Sequence, residues 1–128
     1  RYESGFTRDV PGSWVCVAFL TVAVKPEAYT WSTSCAEFEW APRNWQLQGS
    51  NGGAVWDVLS NHKDDLSLSN KEPGECTWRC ESARPYRMLR LYCTDVNAGL
   101  NHRLVFGNLE FFGTIHGSLL RHSSSLSD

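Results

Sequence analysis

The chain has no run of about 18 apolar residues, which excludes a membrane-spanning helix. Charge is also scarce. Asp, Glu, Lys and Arg make up 20% of the 128 residues, and the net charge is −2. A non-specific nucleic-acid binder needs a basic face to neutralise phosphates, so nucleic acid is not an expected partner. The same balance offers little attraction to anionic lipid, and a membrane partner is not expected either. Catalytic motifs are missing: there is no Gly-x-Ser-x-Gly, no His-Glu-x-x-His and no phosphate loop. No stretch sustains a helical period of 3.6. The five cysteines (Cys16, Cys35, Cys76, Cys80 and Cys93) are an odd number, which does not read as a closed disulfide framework. No signal-peptide pattern opens the chain, which starts at Arg1 rather than Met. We expect a domain cut from a longer protein, with any catalysis carried by the flanks.

Aromatic residues are what the chain has. Six Trp, six Phe and four Tyr can fill a single core, and the length suits one domain. The clearest local signal is Asn44–Leu59. Trp45 and Leu47 alternate with Gln46 and Gln48, as in a half-buried strand. Gly49-Ser50-Asn51-Gly52-Gly53 reads as a turn, because Asn tolerates positive φ and Gly prefers it. Trp56 and Val58 then open a second strand.

Other segments read the same way. Residues 1–12 end in Pro11-Gly12 and form a loop or edge segment. Ser13–Phe19 is almost continuously apolar, as for a strand buried on both faces. Ala28–Ser32 is a strand entered through Pro26, and residues 33–43 form a long loop. Asn61–Glu75 is a polar connection with room for one short helical turn, and Cys76–Cys80 is a short strand. Tyr86–Cys93 is a strong strand with Leu89, Leu91 and Cys93 on one face. A polar loop over Asp95–Arg103 precedes one or two strands in Leu104–Ile115. Short strands separated by turn signals predict an all-β sandwich or barrel. Residues 1–116 form the domain. Gly117–Asp128 is Ser-rich and expected to be a disordered tail or linker.

The hairpin, with a Trp on each side of its turn, resembles the central hairpin of the galactose-binding-like family (discoidin, or coagulation-factor C-type). Five further segments resemble that family's pattern in register. Trp14-Val15-Cys16-Val17 and Val24-Lys25-Pro26-Glu27-Ala28-Tyr29-Thr30 resemble its first core strands. His62, Asp65 and Leu68 resemble a downstream H-x-x-D-x-x-L run. Tyr86-Arg87-Met88-Leu89-Arg90-Leu91 and Leu109-Glu110-Phe111-Phe112-Gly113 resemble its last strands. The pattern is closest to the discoidin-like domains appended to HECT-type ubiquitin ligases and BTB-containing adaptor proteins. It departs from the family at Ala18, where an acidic residue is usual, and at Gly52, where Asp is usual.

The resemblance implies a jelly-roll β-sandwich of about eight antiparallel strands. It makes Trp14, Trp45, Trp56, Tyr86 and Phe111 core residues rather than a binding groove. Extracellular members tie their termini with a disulfide. Here no cysteine lies near either end, so an intracellular, cytoplasmic setting with free thiols is expected. Many relatives carry a structural calcium, but no acidic cluster fixes one here.

Three candidate sites follow. His62 with Asp65 has the makings of an acid–base pair, but the family positions imply a structural polar contact. Cys76 and Cys80, with His62 and Cys93, make only one close-spaced couple where zinc sites use two, so no metal is expected. No cofactor and no catalytic residue is expected. The third candidate is a ligand surface. In the resembled fold, loops 33–43 and 95–103 emerge at one end of the barrel. Phe38 and Trp40 can anchor a peptide or stack on a sugar, and Arg43 can clamp a carboxylate or carbonyl. Asn97, Asn101, His102 and Arg103 can add hydrogen bonds. Trp40 reads equally well as a lid folded under the barrel. The function implied is non-enzymatic recognition of a protein or peptide within a larger ubiquitin ligase or adaptor. The alternatives are a carbohydrate-binding module using the same loops, or a structural spacer. Lipid binding is opposed by Glu37 and Glu39 in the loop.

Overall fold

A computed structural model describes residues 5–33, 40–69 and 75–117. No α-helix occurs among them. The strands are β1 (Gly5–Phe6), β2 (Trp14–Ala18), β3 (Ala23–Ser32), β4 (Trp45–Ser50), β5 (Asp57–His62), β6 (Glu75–Arg79), β7 (Met88–Cys93), β8 (Val105–Phe106) and β9 (Asn108–His116). A four-stranded sheet runs β2-β7-β4-β5, and a three-stranded sheet runs β6-β3-β9. β1 and β8 form a short separate ladder. All the pairings are antiparallel.

The two sheets form a β-sandwich, as period-2 alternation requires. Leu47 and Leu91 pair on the inner face of the larger sheet, next to the Trp45–Cys93 pair. Tyr29 and Trp31 face them from β3, flanked by Trp78 and Cys76 on β6 and by Phe111 and Leu109 on β9. Trp31 and Trp45 meet edge to face, with ring centroids 5.0 Å apart. Tyr29, Trp31, Trp45, Leu47, Leu89 and Leu91 are completely buried.

Two irregularities shape the sheets. The β3–β9 register shifts between Pro26 and Ala28, a bulge that places a residue lacking an N–H where the ladder is already broken. Pro26 therefore lies inside a longer strand rather than at its start. Opposite it, a Cβ on Gly113 would sit 2.1 Å from the Lys25 carbonyl oxygen, so only glycine fits. A second shift in β4–β5, between Leu47 and Gln48, turns both Leu59 and Ser60 inward.

The hairpin lies where the alternation places it, but β4 extends through Ser50 and β5 starts at Asp57. Ser50 Oγ accepts the N–H groups of Gly52 and Gly53, at 3.3 and 2.8 Å, and closes the turn between them. Strand β2 departs from expectation. It is a half-buried edge strand, with Val15 facing the core and Trp14 52% exposed. An apolar run does not itself say that both faces are covered. Of the expected tail, Gly117–Asp128, residues 118–128 lie outside the described residues.

Candidate functional site

Loops 40–44 and 94–104 do meet at one end of the sandwich. Ala98 N donates to Ala41 O at 3.0 Å, and Asn44 Nδ2 donates to Val96 O at 2.8 Å. The N-terminal segment joins them: Leu104 N donates to Thr7 Oγ1 at 2.8 Å, and His102 N to Asp9 Oδ1 at 2.8 Å.

Trp40 is half-buried. Its ring meets Phe6 at right angles with centroids 5.2 Å apart. The Arg103 guanidinium lies 5.0 Å from the Trp40 ring and 5.2 Å from that of Phe6, within cation–π range of both. Phe6 itself is 50% exposed. Sequence reasoning missed it because residues 1–12 carry no strand pattern, and only the fold brings them to this end.

Asn97 is not a ligand-facing group. It is 2% exposed. Its Nδ2 donates to Asn101 Oδ1 and to Arg103 O, both at 3.0 Å, while its Oδ1 accepts from Gly99 N at 2.8 Å and Asn101 N at 3.2 Å. All four bonds stay within the loop. Asn101 Oδ1 also accepts from Arg103 N at 3.0 Å. These two amides therefore set the shape of the loop, and for the buried Asn97 the expectation that it reaches a ligand is corrected. His102 is tied back as well, with Nδ1 3.6 Å from Asp9 Oδ1. The loop holds Leu100 at φ +64° with 75% of its surface exposed. A left-handed backbone costs a side chain bearing a Cβ about 1–2 kcal/mol.

Arg43 is partly exposed and ion-paired at the surface. Its guanidinium pairs with Asp64, and among the described residues its buried Nε has no hydrogen-bond partner. Asp65 N donates to Arg43 O at 2.8 Å, so Arg43 anchors the turn after β5. Phe38 lies outside the described residues.

His62 and Asp65 form the expected polar contact, with Nδ1 2.8 Å from Oδ2. On its other side His62 Nε2 lies 3.0 Å from the Tyr29 hydroxyl. Burial pushes the Tyr29 phenol up to about 12, against smaller opposing effects of hydrogen bonds with Ser60 and Trp45. Burial also raises the Asp65 carboxyl, but hydrogen bonds from the Ser67 hydroxyl, the Ser67 N–H and His62 together outweigh it and hold the carboxyl below its usual range. Asp65 is thus a fixed anion that holds the turn.

Burial raises the thiols of Cys80 and Cys93, which disfavours the nucleophilic thiolate. Among the described residues no group of three or more His, Cys, Asp or Glu is placed to hold a metal. A cleft of about 580 Å³ lies at the opposite end of the sandwich, lined in part by Leu20, Val22, Asn51, Pro85, Arg87 and His116.

The outer face of the four-stranded sheet holds a cluster that corrects the reading of Trp14 and Trp56 as core. Register places Trp14, Tyr92, Gln46 and Asn61 in one row across the sheet, with Cys16, Arg90, Gln48 and Val58 in the next. The Arg90 guanidinium lies 3.9 Å from the Trp56 ring centroid, 4.9 Å from Tyr92 and 5.7 Å from Trp14. Arg90 Nε donates to Gln48 Oε1 at 2.7 Å. Partial desolvation lowers its pKa from the usual arginine value, though arginine stays charged throughout the physiological range. The signal was present in the chain: if Leu89, Leu91 and Cys93 face inward, Arg90 and Tyr92 must face outward.

No protein-family model matches the chain. Two curated relatives do. The E3 ubiquitin-protein ligase Ufd4 of Drosophila melanogaster is 37% identical over 117 residues, 87% of this chain. The E3 ubiquitin-protein ligase hecd-1 of Caenorhabditis elegans is 32% identical over 100 residues, 75% of this chain. The chain is homologous to a segment of each ligase. It spans 4% of the length of either one. The ubiquitin-ligase side of the expected resemblance thereby gains support. Among the described residues no helix is long and apolar enough to cross a membrane.

Proposed function

We propose that this domain is a discoidin-type jelly roll that serves as a non-catalytic protein-recognition module within a larger intracellular ubiquitin ligase. It recruits a substrate or partner through the loops at the Trp40–Arg103 end. The homology to short segments of two ligases supports the setting. The observation that carries the reading is Leu100. A bare loop has no reason to hold a large apolar side chain in solvent on a left-handed backbone, and such strain persists only where the surroundings impose it. Here the buried Asn97 amide imposes it. Leu100, Phe6 and the Arg103–Trp40 stack then form a pre-organised surface of apolar and cationic groups, the composition that dominates protein-interface energetics.

The carbohydrate reading is less well supported, since the Trp40 ring already packs against Arg103 and Phe6. The test is a pulldown from cell lysate with the isolated domain beside Leu100→Gly. Glycine removes the apolar group and relieves the backbone, so binding falls while folding does not. Equal capture by both proteins would refute the site.

A further inference from the structure

The outward rows of the four-stranded sheet carry a single full charge, Arg90, among Trp, Tyr, Gln, Asn, Cys and Val. Among the described residues no carboxylate pairs with it. Its Nε is spent on Gln48, and its plane is packed by Trp56. Its two terminal nitrogens donate to no described residue, and neither is a buried orphan, so both open to solvent. A guanidinium held this way is oriented in advance, with one edge of its fork free. That edge matches the two oxygens of a carboxylate. Beside it, Trp14 and Val58 stand 52% and 53% exposed.

We propose that this sheet face is a second docking surface, and that its occupant is an acidic segment of a protein partner. An Asp or Glu side chain pairs with the free edge of Arg90, and apolar neighbours of that residue cover Trp14 and Val58. Charge complementarity decides the occupant: the face offers one unpaired cation and no anion. A neutral glycan would need open aromatic faces, and the guanidinium already lies on the face of Trp56 at 3.9 Å. Rings that orient a cation also lower the entropy lost when an anion arrives. This surface is separate from the Leu100 loop, so either can fail without the other.

The test uses a fluorescein-labelled peptide of alternating Phe and Glu, and its counterpart with Gln for every Glu, in polarisation titrations against the whole domain. The acidic peptide is expected to bind saturably, more weakly at high salt, and about tenfold or more tighter than the Gln peptide. Arg90→Gln loses that difference, Trp14→Ser weakens binding without loss of thermal stability, and Leu100→Gly binds as the parent does. Should Arg90→Gln fail to fold, the indole N–H signals of Trp14 and Trp56 in the parent's NMR spectrum supply the readout, since both must shift on adding the acidic peptide. Equal binding of the two peptides, no saturable binding, or unmoved indole signals would each overturn the proposal. So would a neutral oligosaccharide that binds this face in place of the acidic peptide.

Discussion

Trp45 donates its indole N–H to the Tyr29 hydroxyl across 3.0 Å and so joins the two sheets at their centre. Both side chains are fully buried. The His62 ring stacks on Trp45, with centroids 4.3 Å apart, and continues the polar line outward to Asp65. A wholly buried polar pair of this kind is stable only because each member is satisfied.

Replacing Trp45 tests that centre. Trp45→Ala removes the ring and leaves a cavity, and it is expected to cost about 3–5 kcal/mol. Trp45→Phe keeps much of the volume but removes the donor. The Tyr29 hydroxyl retains Ser60 and His62, so the loss should be smaller, about 1–3 kcal/mol. Urea unfolding measures both. A Trp45→Ala loss near zero would contradict the assigned register.

Asp65 gives the fold an acid-sensitive component. Its carboxyl is held below the usual value of 3.8, so its contribution is complete above that value. As the pH falls through the lower folded-state pKa the contribution disappears, because both folded and unfolded forms are then protonated. The stability difference between the parent and Asp65→Asn should therefore be largest near neutrality and shrink as the pH drops below about 4. Denaturant titrations across that range check the sign; a difference that grows toward acid would contradict it.

Two glycines separate crowding from turn preference. Gly113→Ala drives a Cβ onto the Lys25 carbonyl and should destabilise by about 2–3 kcal/mol or more. A Cβ on Gly52 meets nothing within 4 Å, so Gly52→Ala should stay within about 0.5 kcal/mol of the parent. Thermal melts of the two variants suffice.

Asn97→Ala strips four hydrogen bonds from the loop that presents Leu100. Buried donors and acceptors left behind cost about 1–3 kcal/mol. Hydrogen exchange should accelerate at Gly99 and Asn101, whose N–H groups lose their acceptor. Unchanged exchange there would show that the loop is held by other means.

Much of the fold was legible because alternation is a strong signal wherever polar and apolar residues interleave. Trp45–Gln48 and Leu89–Cys93 show this. It failed at Ser13–Phe19, where every position is apolar or small and both faces read alike. There the sheet leaves Trp14 in solvent, and no local pattern distinguishes it from Trp45. Pro26 read as a strand entrance because its missing N–H breaks a regular ladder, yet the bulge accommodates it. The arrangement of the loops at the Trp40–Arg103 end was legible in part. Its two loops meet, and Trp40 and Arg103 stack, but side-chain chemistry alone does not tell a buried Asn97 from an exposed one. Arg43 looked free because Asp64, its partner, is distant in sequence.

The most direct test of the account is the pulldown with the parent domain and Leu100→Gly, run at equal concentration after matched thermal melts. The account predicts a partner retained by the parent and lost by the variant, with the variant at least as stable. The same partner held by both proteins, or none held by the parent, would contradict a recruiting surface at this end of the sandwich.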